Sequence, residues 1–135
     1  VTEKDTAVFW FRSTFRIMDA PQLHEEIIAN IGEGSGHHKK GDIRKKDPLR
    51  NWKNSIWYID SPIPEKEDIA LHLKWSSDFA LDNEEYIRSL MDRGARVDIY
   101  MAYCCNEDHR GFGLDPELLS VFPKLGIRFE ISIMI

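Results

Sequence analysis

Residues 127–135, IRFEISIMI, contain the clearest strand pattern in the sequence. Isoleucine or phenylalanine stands at every odd position, and arginine, glutamate and serine stand at positions 128, 130 and 132. A period of two is typical of a strand with one apolar face and one polar face. We therefore predict that this stretch is a strand whose odd-numbered side chains pack against a core.

Three earlier segments also have strand patterns. Residues 6–18, TAVFWFRSTFRIM, alternate apolar residues with polar ones at positions 12, 14 and 16, and residues 96–105, RVDIYMAYCC, alternate similarly. Residues 55–60, SIWYID, form a short apolar run before a Ser-Pro pair, which indicates a strand buried on both faces. Residues 111–114 follow a turn-rich segment and are expected to return as a short antiparallel strand.

Helical spacing occurs between these strands. It predicts a first helix that stops at Gly32, a second helix after the acidic residues Glu65, Glu67 and Asp68, and a third helix that stops at Gly94. A short helix is expected to begin at the pair Asp115-Pro116. The second helix should present one common face, made of Ile69, His72, Leu73 and Ser76.

The order of these elements defines the predicted fold class. Helices that cover one side of a sheet best satisfy strands with single apolar faces. We predict an α+β fold with a mostly antiparallel sheet of four to five strands and helices packed on one face. The length of 135 residues is enough for one core, so residues 1–135 are expected to form a single domain.

The composition narrows the class of protein. Hydrophobic residues make up 42% and charged residues 30%, as in ordinary globular domains, and no apolar run reaches the ~20 residues of a membrane-spanning helix. The first residues lack a signal-peptide pattern. The only two cysteines, Cys104 and Cys105, are adjacent in a predicted strand and point to opposite faces, so we expect free thiols. These features predict a cytoplasmic location.

A basic loop at residues 33–54 separates the first helix from the next strand. Within it, residues 37–53 carry seven lysines and arginines and two aspartates, a local charge of +5. Because the whole chain carries −5, the remainder carries −10. The loop shows no clear periodicity, and a long connection without regular structure is typical of a functional or mobile segment. This charge asymmetry indicates a charged partner.

Several motifs resemble those of a known family. The stretch GFGLDPELLSVFPKLGIRFEISIMI matches a Gly-Phe-x-Leu-x-Pro-Glu-Leu-Leu helix and strand at Gly111, Phe112, Leu114, Pro116, Glu117, Leu118 and Leu119. A Trp-bearing strand and a His/Lys-Gly-Asp loop also match, the latter at His38, Lys40, Gly41 and Asp42. Over nearly its whole length the chain resembles the bacterial domain-of-unknown-function 4279 family. It departs from the family at Pro123, where the family helix usually continues, and at the additional basic residues Arg44, Lys45 and Lys46.

The resemblance implies a fold more than an activity, because the family name records that no activity is established. Small acidic bacterial domains that resemble this one are candidates for immunity proteins, which neutralise a cognate toxin by direct binding. We therefore expect a non-catalytic protein-binding domain with a protein partner. The residues expected to contact that partner are His38, Lys40, Asp42, Arg44, Lys45, Lys46, Trp52, Glu84 and Glu85.

Other function classes have weaker support in the sequence. The chain contains no nucleophile elbow, phosphate loop or dinucleotide fingerprint, so we do not expect an enzyme. Two groups contain metal-ligand residue types without the usual spacing, namely His37-His38 with Asp42, and Cys105 with Asp108 and His109. We therefore expect no metal and no cofactor.

An alternative function is the binding of a small ligand or nucleic acid through the basic loop. Trp52 lies among the basic residues of this loop in the sequence, and its ring is able to stack on a base. The overall charge of −5 argues against a nucleic-acid partner. The sequence makes no prediction about the oligomeric state.

Overall fold

The structure is a computed structural model that describes residues 9–44, 47–51, 54–106 and 111–134, with only the backbone described at 47–51. The strands are β1 Phe9–Met18, β2 Gly36–His38, β3 Ile43–Arg44, β4 Asp47–Asn51, β5 Ile56–Asp60, β6 Arg96–Cys105 and β7 Arg128–Met134. The helices are α1 His24–Ile31, which follows a 3-10 turn at Pro21–Leu23, α2 Ile69–Asp82, α3 Glu84–Asp92, α4 Pro116–Leu119 and α5 Val121–Leu125.

Five strands form one sheet in the order β2-β5-β1-β6-β7, and β3 and β4 form a separate two-stranded ribbon. Strand β1 pairs antiparallel with β5 and with β6, and β2 pairs antiparallel with β5. Strand β7 is parallel to β6 and follows a connection that contains α4 and α5, as parallel neighbours require. The predicted class, an α+β fold with a mostly antiparallel sheet and helices on one face, is confirmed.

Strand β1 shows why the sheet has two different faces. Its residues Phe11, Phe15 and Ile17 are buried, whereas Arg12 is exposed, because successive side chains in a strand point to opposite sides. All ten residues of β1 pair with β6. The buried side of this pair faces the helices, and we call the other side of the five-stranded sheet the open face.

The core lies between the sheet and helices α2 and α3. Asp68 caps α2 by accepting a hydrogen bond from the Ala70 backbone N–H at 3.0 Å. The predicted α2 face is confirmed, since Ile69, His72, Leu73 and Ser76 are all buried. Full burial of each large apolar side chain contributes about 1.5–3 kcal/mol. Fully buried members of the core include Phe15, Trp57, Ile69, Leu73, Ile87, Leu90, Ile99 and Met101.

The end of the chain departs from the prediction. Strand β7 lies at the edge of the sheet, where Ile131 is 40% exposed and Ile133 is 67% exposed. Near its beginning, Phe129 stacks on Phe122 of α5 at 4.6 Å between ring centroids. Alternation identifies the apolar side of a strand, but it does not show how far a covering helix extends. The predicted burial of Ile131 and Ile133 was therefore wrong.

The basic loop at 33–54 contains more regular structure than we predicted, because β2, β3 and β4 lie within it. The GEGSG stretch is a site of close approach between chain segments. A Cβ atom at Gly34 would collide with the Tyr58 carbonyl and the Trp57 ring, and one at Gly36 would collide with the Tyr58 ring. Strands of two to five residues are too short to show a period, so the sequence pattern missed them.

Two smaller predictions also fail. In β5 only Trp57 is buried, so this strand is not buried on both faces. Residues 111–114 have no regular secondary structure. Cys105 is buried and Cys104 is half-buried, and neither cysteine forms a disulfide, as predicted.

Candidate partner-binding surface

The open face collects aromatic and charged side chains from four neighbouring strands. Alternation along β1 places Trp10, Arg12, Thr14 and Arg16 on this face. The strand register brings their neighbours beside them: Tyr58 and Asp60 from β5, Asp98 and Tyr100 from β6, and Glu130 from β7. The surface is therefore an assembly of residues that are distant in the sequence.

Arg16 is the centre of the best-ordered part of this face. Its Nε and Nη2 atoms donate to the two carboxylate oxygens of Asp98 at 2.8 and 2.5 Å, and Nη2 also donates to Glu130 at 2.9 Å. The guanidinium lies over the Tyr100 ring, 4.6 Å from its centroid. The hydrogen bond to Asp98 raises the pKa of Arg16 above its ordinary value. These contacts fix the side chains across β1, β6 and β7.

A second, more exposed group surrounds Arg12. The Arg12 guanidinium lies 4.7 Å from the centroid of the Trp10 ring, and its Nη2 donates to Glu65 at 3.2 Å. The Thr14 hydroxyl donates to Asp60 at 2.7 Å. Because these charged groups remain in contact with water, their internal pairing contributes little to stability. They are available to a binding partner.

A concavity of about 620 Å³ lies beside the group around Arg12. It is lined by Trp10, Arg12, Asp60, Tyr100 and Met134, together with the segment that follows β5. That segment runs beside β1, where the Phe11 N–H donates to the Glu65 carbonyl at 2.9 Å and the Ser61 N–H donates to the Ser13 carbonyl at 2.8 Å.

His72 contributes a buried polar group to the lining of this concavity. It is 1% exposed, and its Nε2 lies 3.0 Å from the Pro64 carbonyl oxygen, to which it donates. Its Nδ1 has no hydrogen-bond partner among the described residues. Burial lowers the pKa of His72, which keeps the imidazole neutral near pH 7. Sequence spacing placed His72 on a helix face but gave no indication of this contact.

Of the residues predicted from the basic loop, His38 lies in β2 at the edge of the sheet, on the side of the open face. His38 pairs with Ile56, whose neighbour Met18 points to the same side as Arg16. Asp42 closes a turn by accepting the Lys39 N–H at 2.8 Å, and Lys40 is exposed in that turn. Arg44 is in β3. Lys45, Lys46 and Trp52 lie outside the described residues.

The two predicted glutamates lie on the other side of the sheet. Glu84 and Glu85 form the first turn of α3, which packs in the helical layer. Glu84 pairs with Arg88 at 3.3 Å and with Lys124 at 3.6 Å. Among the described residues, these glutamates therefore lie apart from His38, which is on the open-face side of β2.

A pair of histidines joins the start of α1 to β2. The Nε2 atom of His24 lies 3.0 Å from Nδ1 of His37, and burial lowers the pKa of His24. Within the described ranges, no group of three histidine, cysteine, aspartate or glutamate side chains is arranged to hold a metal ion. The group of Cys105, Asp108 and His109, which has metal-ligand residue types without the usual spacing, lies partly outside the described residues, because 107–110 are not described.

One sequence pattern indicated part of the open face. The alternation of β1 separated positions 12, 14 and 16 from the apolar side, but it did not show that Tyr100 and Asp98 would lie beside them. The position of Tyr100 and Asp98 beside β1 follows from the strand order.

In the part of the chain that the structure describes, no helix is both long enough and apolar enough to cross a membrane.

Comparisons with known proteins give a family. Neither a curated protein nor a solved structure matches the chain. A model of the family described as domain of unknown function DUF4279 matches residues 10–135. This match includes every described strand except the first residue of β1. Because it spans nearly the entire sequence, the chain belongs to the DUF4279 family.

Proposed function

We propose that this chain is a non-catalytic protein-binding domain whose open face contacts its partner. The observation that carries the proposal is the collection of Trp10, Arg12, Tyr58 and Tyr100 on a sheet face that no described helix covers. Tryptophan, tyrosine and arginine are enriched among the residues that dominate protein–protein binding energy. Arg12 and Trp10 already contact each other, so their side chains lose less freedom on binding.

The partner proposed is a bacterial toxin that the domain neutralises in the cytoplasm, as an immunity protein does. The net charge of −5 supports this proposal, because an acidic protein is attracted to the positive cleft of a toxin that acts on nucleic acid. Asp60 and Glu65 supply exposed carboxylates beside the concavity. The basic loop at 33–54 then has a secondary role. It pairs with acidic residues at the margin of the toxin's binding surface and sets the orientation of the two proteins.

One observation favours a second candidate function, the binding of a small ligand in the concavity. His72 lines this space, and its buried Nδ1, an acceptor in the neutral ring, has no hydrogen-bond partner among the described residues. The nucleic-acid alternative, which uses the basic loop, has less support because the whole chain carries a net charge of −5.

The test is a binding measurement with the purified product of the neighbouring gene, since immunity proteins are encoded beside their toxins. Trp10→Ala and Arg12→Ala should each weaken binding by about tenfold or more, which corresponds to about 1.4 kcal/mol. Glu85→Ala is the matched control on the helical side and should leave affinity within about twofold.

Two outcomes of this experiment would contradict the proposal. Unchanged affinity in both open-face variants would remove the open face from the interface. Tight binding of a labelled RNA that falls steeply and log-linearly with added salt would favour the nucleic-acid alternative. Measurements at two salt concentrations distinguish these cases.

A further inference from the structure

The outer edge of β7 is the longer of the two edges of the five-stranded sheet. Strand β7 has seven residues and pairs with β6 on one side, whereas the opposite edge strand, β2, has three residues. Ile131, Ile133 and Met134 are exposed by 40%, 67% and 39%. A long edge with exposed apolar side chains presents unpaired backbone groups that are ready to pair with another strand.

We propose that this edge pairs with the same edge of a second copy of the chain. The two β7 strands run antiparallel about a two-fold axis that passes through Ile131, and the two sheets become continuous. Such a dimer is closed, because each copy uses its β7 edge once. This inference does not depend on the proposed function, since it uses a different surface.

The register follows from the residues of β7. Opposite residues of an antiparallel pair point to the same face, so a centre at Ile131 pairs all seven residues of each strand. In this register Ile131 meets Ile131 of the second copy, Phe129 meets Ile133, and Glu130 meets Ser132. The apolar side chains on the helical side then cover one another.

The neighbouring registers are less favourable. A centre at Glu130 places two carboxylates directly opposite each other, which is destabilising. A centre at Ser132 pairs only five of the seven residues of each β7 strand with one another. Among these three registers, the centre at Ile131 alone pairs all seven described residues of β7 and opposes no like charges.

The charge of the edge also suits a second copy. The whole chain carries −5, so two copies repel on average. Within β7, however, Arg128 forms an ion pair with Glu130 at 3.2 Å, so the strand brings no net charge to the seam. Pairing of β7 with the β2 edge of another copy would engage only three residues of β2 and would leave a free edge at each end.

The first test is the mass of the intact chain in solution, measured by light scattering over a range of concentrations. The mass should rise from the 15.8 kDa of one chain toward twice that value as concentration increases. Ile131→Lys should remain at the mass of one chain, because it places two ammonium groups opposite each other at the axis. A circular dichroism spectrum confirms that this exposed substitution leaves the fold intact.

The second test is disulfide crosslinking, which reads out the register directly. Ile131→Cys in a Cys104→Ser background places two thiols opposite each other. Opposed Cα atoms are about 4.5–5.5 Å apart, inside the range of about 4.4–6.8 Å that a disulfide spans. Ile133→Cys is the matched control, because Ile133 is more exposed, yet its two copies are about 13 Å apart along the strand in this register.

The expected result is a covalent dimer from Ile131→Cys under mild oxidation and much less of it from Ile133→Cys. Crosslinking of Ile133→Cys that equals or exceeds that of Ile131→Cys would overturn the proposal, since it would reflect exposure alone. A wild-type mass of one chain up to the solubility limit would also overturn it, as would a dimer that persists in Ile131→Lys.

Discussion

Arg16 and Asp98 face each other across the two central strands, and both carboxylate oxygens of Asp98 accept hydrogen bonds from the guanidinium. The Asp98 side chain is 2% exposed, whereas that of Arg16 is 21% exposed and also contacts Glu130. The pair is therefore asymmetric. Without Arg16, the Asp98 carboxylate would be a buried charge that has lost this partner, whereas without Asp98 the Arg16 guanidinium would keep Glu130 and its contact with water.

This asymmetry predicts the order of destabilisation in three variants. Arg16→Met leaves a buried carboxylate without its charge partner and should lower the free energy of unfolding by about 3–5 kcal/mol. Asp98→Asn should cost less, because Arg16 keeps Glu130, Tyr100 and partial contact with water. Glu130→Gln, the matched control, should cost less than about 1 kcal/mol. Urea unfolding of each variant measures these values, and a larger loss in Glu130→Gln than in Arg16→Met would contradict the assignment.

A buried hydroxyl pair joins the sheet to α2. The Ser13 and Ser76 Oγ atoms are 2.6 Å apart and both residues are buried. Ser76→Ala should lower the free energy of unfolding by about 1–3 kcal/mol, because it leaves the Ser13 hydroxyl buried without a partner. The double variant Ser13→Ala with Ser76→Ala should be more stable than Ser76→Ala alone. Thermal unfolding of the single and double variants tests the pair, and strictly additive losses would show that the hydroxyls do not depend on each other.

The contact between α1 and α3 predicts a dependence of stability on pH. Both oxygens of Glu26 accept hydrogen bonds from Arg93, at 2.7 and 2.8 Å, and Tyr86 donates to the same carboxylate. The hydrogen bond from Arg93 is the main cause that lowers the pKa of Glu26 to about 2 from 4.5. The stability contributed by the ionised Glu26 carboxylate is therefore present above pH 4.5 and is lost as pH falls toward 2.

Glu26→Gln should thus be less stable than wild type at pH 7, and the difference should shrink between pH 4.5 and about 2. Unfolding curves at a series of pH values measure this difference. Glu85→Gln, at an exposed position of α3, serves as control. A difference that grows as the solution becomes more acidic would have the wrong sign for this contact.

The position of β7 predicts unequal roles for two isoleucines. Ile99 in β6 is fully buried, whereas Ile131 in β7 is 40% exposed. Ile99→Ala should cost about 2–5 kcal/mol of stability because it leaves a cavity. Ile131→Ala, measured in dilute solution, should cost less than about 1 kcal/mol. Chemical denaturation provides both values, and equal losses would indicate that β7 is covered.

The sequence was informative where one residue pattern determines one structural feature. The alternation of β1 and the spacing of Ile69, Leu73 and Ser76 in α2 predicted which of their side chains are buried, whereas in β6 the alternation did not predict the burial of Asp98. The open face was not predictable in the same way, because Arg16 meets Asp98 and Glu130 only through the strand order. The parallel placement of β7 likewise depends on packing of the preceding helices and not on its own alternation.

Hydroxyl-radical footprinting of the domain, with and without the product of the neighbouring gene, tests most directly whether the open face contacts the partner. Oxidation of Trp10, Tyr58 and Tyr100 reports on the open face, and oxidation of Trp75 and Tyr86 reports on the helical side; all five rings are half-buried in the isolated chain. We predict that the partner protects the three open-face rings and leaves the oxidation of Trp75 and Tyr86 unchanged. Protection of Trp75 and Tyr86 with continued oxidation of Trp10 and Tyr100 would contradict it.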